Sequence, residues 1–194
     1  MHPINKNNRI YYASAKAYPN DYRGVKWSSE ESQFLRFKVL CEVSNHIFKS
    51  NILDVGCGFG HLVDYLVKNQ FEGSYKGIDI VDQMIMVAKK RHPSFHFETN
   101  DLDSIHPENH DYILASGIFT FSDWENMRIH IQQLFSFCRK GIAFNTLRLS
   151  NRLREEELFY ADPLETLTFC KSITPHAILR QDYMLEDFTV YMHK

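Results

Sequence analysis

The chain has 194 residues, enough for one domain with a sizeable core, and its net charge of -2 argues against a nucleic-acid partner. With 44% apolar and 24% charged residues it reads as an ordinary soluble globular protein, and its apolar runs are too short to span a membrane. The start, "MHPINKNNRI", lacks an apolar core and a cleavage site, so no secretory signal is expected and cytoplasm is the default.

In chain order, the first 27 residues read as an irregular polar and aromatic arm. Ser28 or Ser29 then caps a long helix reaching about Lys49. Phe34, Phe37, Cys41 and Phe48 form one apolar stripe, and Leu40, Val43 and Ile47 another. From Asn51 strands and helices alternate. "NILDV" precedes a helix near His61–Asn69, and "YKGIDI" one near Asp82–Arg91. "SFHFET" is a third strand. "DYILAS" leads to a helix over about Asp123–Arg139, where Trp124, Met127, Ile131, Leu134, Phe135 and Cys138 share a face. "GIAFNTL" is followed by a charged loop. "ADPLETLTFCKS" has Asp162 as N-cap, Pro163 at the first helical position and Glu165 closing a capping box. "HAILRQDY" and "DFTVYMHK" form a closing hairpin.

Repeated βα units imply an α/β fold: a Rossmann-like, doubly wound, mostly parallel seven-stranded sheet with a C-terminal antiparallel hairpin and an N-terminal helical cap. Residues 1–50, the arm and cap helix, belong to the same domain as residues 51–194. The four cysteines (Cys41, Cys57, Cys138, Cys170) include no CxxC pair, so reduced buried thiols and no metal are expected. The basic runs Lys89–His92 and Arg152–Arg154 are short and separate, as in solvated helix ends or loops.

The stretch "ILDVGCGFGHLVDYL" carries the chemistry. Asp54 ends the first strand, and Gly56, Gly58 and Gly60 make the turn into the first helix of the alternating region. That is the carboxyl edge of the sheet, where doubly wound folds bind ligands, and glycine lets ligand atoms approach the backbone. The dinucleotide fingerprint G-x-G-x-x-G is not met, because His61 stands where its third glycine belongs. This disfavours a nicotinamide oxidoreductase.

D-V-G-C-G-F-G, between a strand and a helix, resembles motif I of the class I S-adenosylmethionine-dependent methyltransferases. The resemblance extends, in order of elements, from Ile52 to Lys194. It implies S-adenosylmethionine as cofactor. It further implies Gly56, Cys57 and Gly58 against the methionine and ribose, and Asp54 ordering the loop and the amino end. Asp79 would accept from the ribose hydroxyls, with Ile80 and Met84 on the adenine face. Asp101 would accept from the adenine amino group while the Leu102 backbone donates to the ring. Ser116 and Gly117 would face the sulfonium and the acceptor. The chain lacks the D/N-P-P-aromatic motif that many amino-methylating nucleic-acid and protein enzymes carry after the fourth strand. The first 37 residues resemble small bacterial methyltransferase-like proteins of uncharacterised substrate, which points to Trp27, Gln33 and Phe37 as cover for the site.

Helical spacing puts Arg36 in line with Leu40, Val43 and Ile47, so its charge needs a partner, for which the cofactor's carboxylate is suited. The aromatic arm (Tyr11, Tyr12, Tyr18, Trp27) can close as a lid. Asn145, Arg148 and Arg152, after the fifth strand, suit a carboxylate or sugar acceptor. His61 and Asp123 read as a surface histidine and an N-cap, and no general base is named by the sequence. The expected function is methyl transfer to a small-molecule O- or N-nucleophile. The alternative is a catalytically silent S-adenosylmethionine-binding regulatory domain.

Overall fold

The computed structural model describes residues 6–25, 28–104, 110–149 and 155–194. Seven strands form one sheet: β1 (Asn51–Val55), β2 (Ser74–Asp79), β3 (His96–Thr99), β4 (His110–Ser116), β5 (Cys138–Leu147), β6 (Ala177–Arg180) and β7 (Asp187–His193). Their order is β3-β2-β1-β4-β5-β7-β6. The first five are parallel, and β7 runs antiparallel between β5 and β6. The chain winds outward from β1 through β2 to β3, then returns to the other side of β1 for β4. The carboxyl ends of β1 and β4 therefore border the crevice where the winding reverses.

Alternation of side chains along each strand divides the core in two. Leu53, Val55, Ile113, Ala115, Phe188 and Val190 pack with α5 (Trp124–Phe137) and α6 (Pro163–Ile173). On the other face Ile52, Tyr75, Tyr112 and Leu114 pack with α2 (Glu30–Cys41), α3 (His61–Lys68) and α4 (Asp82–Arg91). Asp123 caps α5 by accepting from the Asn126 N–H at 2.8 Å. Asp162 caps α6 by accepting from the N–H groups of Leu164 and Glu165. The reciprocal capping box expected there forms instead at α2, where Ser29 and Ser32 exchange hydrogen bonds. All four cysteines are buried and free.

Two expectations about the N-terminal region are corrected. The arm is not irregular: Lys6–Ala17 is a helix, α1, followed by a 3-10 turn over Tyr22–Val25. Its apolar contacts stabilise it, with Ala15, Tyr11 and Tyr12 packing around Phe59, Val81 and Met84. The helix begun at Glu30 ends at Cys41 rather than near Lys49, and a separate 3-10 turn covers Ile47–Lys49. Ser44 breaks the run: its hydroxyl accepts from the His46 N–H at 3.1 Å, a local turn that competes with helical hydrogen bonding.

Candidate cofactor and acceptor site

The loop after β1 is held by its backbone. The N–H groups of Gly56 and Cys57 both donate to the Ile78 carbonyl, at 2.9 and 3.0 Å. Gly56, Gly58 and Gly60 have φ of 72°, 53° and 77°, the left-handed region that side chains disfavour. The three glycines serve different ends. Gly56 and Gly58 line a cavity of about 1610 Å³, whereas a Cβ on Gly60 would point into the core, 3.0 Å from the Phe97 ring.

Asp79 lies at the end of β2, beside that turn. One oxygen accepts from the Gly58 N–H and the other from the Val81 N–H, each at 2.9 Å. Burial pushes its carboxyl above the usual range, and these backbone donors pull it back. Asp54 is deeper, 4% exposed, and accepts from the Tyr75 hydroxyl at 2.7 Å. Burial pushes Asp54 up to about 7; the Tyr75 bond opposes this and the Asp79 charge reinforces it. The Cys57 thiol is held well above its ordinary value by burial and stays protonated.

Asp54, Gly56, Cys57, Gly58, Asp79, Ile80, Met84, Leu102, Ser116 and Gly117 all line this cavity. Asp101 is not on the lining. Its carboxylate accepts from the Ser104 N–H at 3.2 Å, within the turn Leu102–Ser104, and Asn100 lines the cavity instead. Asn145 is also away from the lining, at 1% exposure. It works from beneath: its side-chain oxygen accepts from the Gly117 N–H at 2.9 Å, holding the turn where Gly117 has φ of 71°. Tyr12 turns aside, its hydroxyl donating to the Ile80 carbonyl at 3.3 Å, while Tyr11 lines the cavity edge-on to Phe121. Tyr18 is exposed and stacks with the Arg23 guanidinium. Trp27 and Arg152 lie outside the described residues.

Arg36 lines the cavity, yet its partner is a protein carboxylate. Its Nε donates to Asp187 at the start of β7, and Nη1 donates to the Ser32 carbonyl at 3.1 Å. The charge that the apolar stripe required to be matched is matched across the fold.

His61 was expected on the surface and is instead 8% exposed, on the cavity wall. The Gln33 amide nitrogen donates to its Nδ1 at 3.2 Å. Burial pushes the imidazole down to about 4, so it is neutral. Arg148, beyond the end of β5, lines the same cavity, as do Leu158, Tyr160 and Met184. The loop residues carried no periodic signal. Tyr11, one of the arm aromatics, reaches the cavity from a helix, together with Ser14 one turn on.

Residues 52–141 match a family model described as a methyltransferase domain. Rv1506c of Mycobacterium tuberculosis, provisionally named a methyltransferase, is 30% identical over 155 residues, covering 74% of this chain and 93% of that protein. Malonyl-[acyl-carrier protein] O-methyltransferase 1 of Ilyobacter polytropus is 30% identical over 138 residues, covering 64% of this chain and 51% of that enzyme, so the match spans about half of its length. Among solved structures, the magnesium protoporphyrin IX methyltransferase of Synechocystis PCC 6803 with bound S-adenosylhomocysteine has a TM-score of 0.68, over 98% of this chain and 96% of that one, at 11% identity. That likeness is one of fold. The positive-φ glycine cradle and the pinned strand-end carboxylate fit the cofactor that such enzymes hold. The chain belongs to the class I methyltransferases, enzymes whose cofactor is S-adenosylmethionine.

Proposed function

We propose that this enzyme methylates a small-molecule acceptor through an oxygen or nitrogen nucleophile. The observation that carries the reading is the extent of the cavity. About 1610 Å³ exceeds the roughly 300–1,000 Å³ of most small-molecule pockets, and the space runs on from the glycine turn to Arg148, Tyr160 and Met184. It offers room for an acceptor beside the cofactor. A silent regulatory domain needs only the first part. The name of the Ilyobacter relative favours oxygen as the acceptor atom.

When bound, the cofactor supplies an electrophilic methyl group on a sulfonium. The protein's part is to hold the nucleophile in line and to exclude water. Gly56 and Gly58 would admit the cofactor against the backbone. Asp79 would accept from the ribose hydroxyls, since each carboxylate oxygen keeps a lone pair beyond the one engaged by the backbone. Ile80 and Met84 would supply an apolar wall for the adenine, with Asn100 and the Leu102 backbone at its polar edge. Ser116 and Gly117, fixed by Asn145, would border the transferred methyl. Tyr11 and Phe121, edge-on at 5.4 Å, would shield it from solvent. The four free thiols support a reducing compartment, the cytoplasm.

The test is calorimetry with S-adenosylmethionine and S-adenosylhomocysteine, followed by a screen of metabolite extract with methyl-labelled cofactor. Binding with label transfer into a small molecule is expected. Binding without transfer to any extract would favour the regulatory reading, and no binding at millimolar ligand would remove the site.

A further inference from the structure

The cavity wall contains two cations, Arg36 and Arg148, among the described residues. They differ in what meets them. Arg36 is engaged by Asp187 and the Ser32 carbonyl. Arg148 has its backbone fixed, its N–H donating to the Glu186 carbonyl at 2.6 Å and its strand bridging Ala161. No described residue engages its guanidinium. Of the acids on the same rim, Glu157 and Glu186 each already interact with another group, and Glu155 is in solvent, where its charge is screened.

Position adds to this. Ser116, at the end of β4, is in register with Asn145 of β5. Arg148 comes three residues later, so its backbone stands about 10 Å beyond that level at ~3.3 Å per residue. That is past the cofactor's end of the sheet edge, in the part of the cavity left for the acceptor. Beside Tyr160 and the rim carboxylates, the same wall carries the apolar side chains Ile118, Phe121, Leu147, Leu158 and Met184.

Of the carboxylates on that wall, Glu157 and Glu186 already interact with another group, and the buried titratable groups of the wall are engaged as well. An alcohol must lose its proton to attack, and a group has to take it. His61 has its Nδ1 occupied by Gln33 and a further hydrogen bond to the Asn20 backbone. Asp54 is bonded to Tyr75, and Asp79 to two backbone N–H groups. A cationic amine would be repelled by Arg148. A carboxylate needs no base, since it is already ionised at neutral pH.

We propose that the acceptor is a carboxylate borne on an apolar body, and that Arg148 is the residue that binds it. This deepens the reading of the cavity as a methyl-transfer site and rests on it. The guanidinium would hold one carboxylate oxygen while the other forms the bond to the methyl carbon. The carbon–sulfur bond breaks with its electron pair remaining on sulfur. The products are a methyl ester and the neutral thioether, and no proton moves.

The test uses the full chain loaded with S-adenosylhomocysteine. Binding of 3-phenylpropionate and decanoate is followed by saturation-transfer NMR, beside the matched amides, alcohols and amines, for the wild type, Arg148→Gln and Arg148→Lys. The acids should bind at least about tenfold better than their uncharged or cationic analogues, Arg148→Gln should erase that preference, and Arg148→Lys should restore part of it. Both variants should hold S-adenosylhomocysteine within about twofold of the wild type. With labelled cofactor, the acids should yield counts that alkali releases as methanol. Failure of both acids to bind, equal binding of acids and amides, or an undiminished preference in Arg148→Gln overturns the assignment. So does label found only in alkali-stable products, which would leave the transfer-site reading standing. A wild-type chain that does not bind S-adenosylhomocysteine would overturn both.

Discussion

Arg36 and Asp187 form an ion pair inside the protein, with side chains 5% and 2% exposed, joining α2 to the first residue of β7 across 151 positions of sequence. The pair fastens the cap helix to the antiparallel end of the sheet, beside the cavity. Burial pushes the Asp187 carboxyl up, against the pull of Arg36, and its second oxygen is buried without a hydrogen bond. Arg36→Met should therefore act on the whole fold, with a stability loss of about 3–5 kcal/mol at pH 8 because a charge is left unmatched. The double replacement Arg36→Met with Asp187→Leu should recover most of it. Denaturant unfolding of the three variants checks this, and a stability loss below about 1 kcal/mol for Arg36→Met would mean the pair is dispensable.

The three glycines should separate by function. Alanine at Gly56 or Gly58 brings a Cβ to 2.5 Å from Ile118 or 2.8 Å from Val25, at positive φ. Each should cost about 1–3 kcal/mol of stability and lower S-adenosylhomocysteine affinity by roughly tenfold or more. Gly60→Ala should cost similar stability and leave affinity nearly intact, because its Cβ meets Phe97 in the core. Thermal melts and calorimetry on the same three proteins decide it. Equal affinity losses at all three positions would assign the effect to a distorted loop.

Asp79→Ala should weaken cofactor binding by roughly 1.5–3 kcal/mol, the cost of losing charge-assisted bonds to the diol. It also frees the N–H groups of Gly58 and Val81, so Asp79→Asn, which keeps an acceptor for one of them, should fold better while still binding weakly. A normal dissociation constant in a folded Asp79→Ala protein would remove this carboxylate from the site.

Asp54 should leave a mark on the pH dependence of stability. Its carboxyl titrates near 7 in the folded protein, against an ordinary value of 3.8. Between about pH 4 and 7 the folded state therefore binds more protons here than the unfolded state. Stability from this group is full below pH 4 and falls as the pH rises toward 7, by an amount on the order of a few kcal/mol. Asp54→Asn can still accept from Tyr75 and has no proton to lose, so its melting temperature should exceed the wild type's at pH 8 and approach it at pH 5. Parallel pH profiles for the two proteins would rule this carboxylate out as the source.

The parallel βα frame was legible because its signals are local. Hydrophobic period, capping residues such as Asp123 and Asp162, and the strand–glycine–helix passage from Asn51 to Lys68 each need only neighbours in sequence. The same locality made Asp54, the glycine turn and Asp79 readable, since strand ends in such a sheet converge by topology. What tertiary structure alone decided depended on distant partners. Lys6–Ala17 is helical because Phe59, Val81 and Met84 receive it. Arg36 is matched by a carboxylate that only the hairpin's insertion beside β5 brings near. Asn145 looked like a ligand group and is instead the buried support of Gly117, because its strand position points it beneath the neighbouring turn. His61 looked like a helix-surface residue and became cavity wall when α2 laid Gln33 against it. Sequence fixes which residues begin and end elements, whereas the pairing of buried polar groups is settled only when packing excludes water and forces each to find a partner.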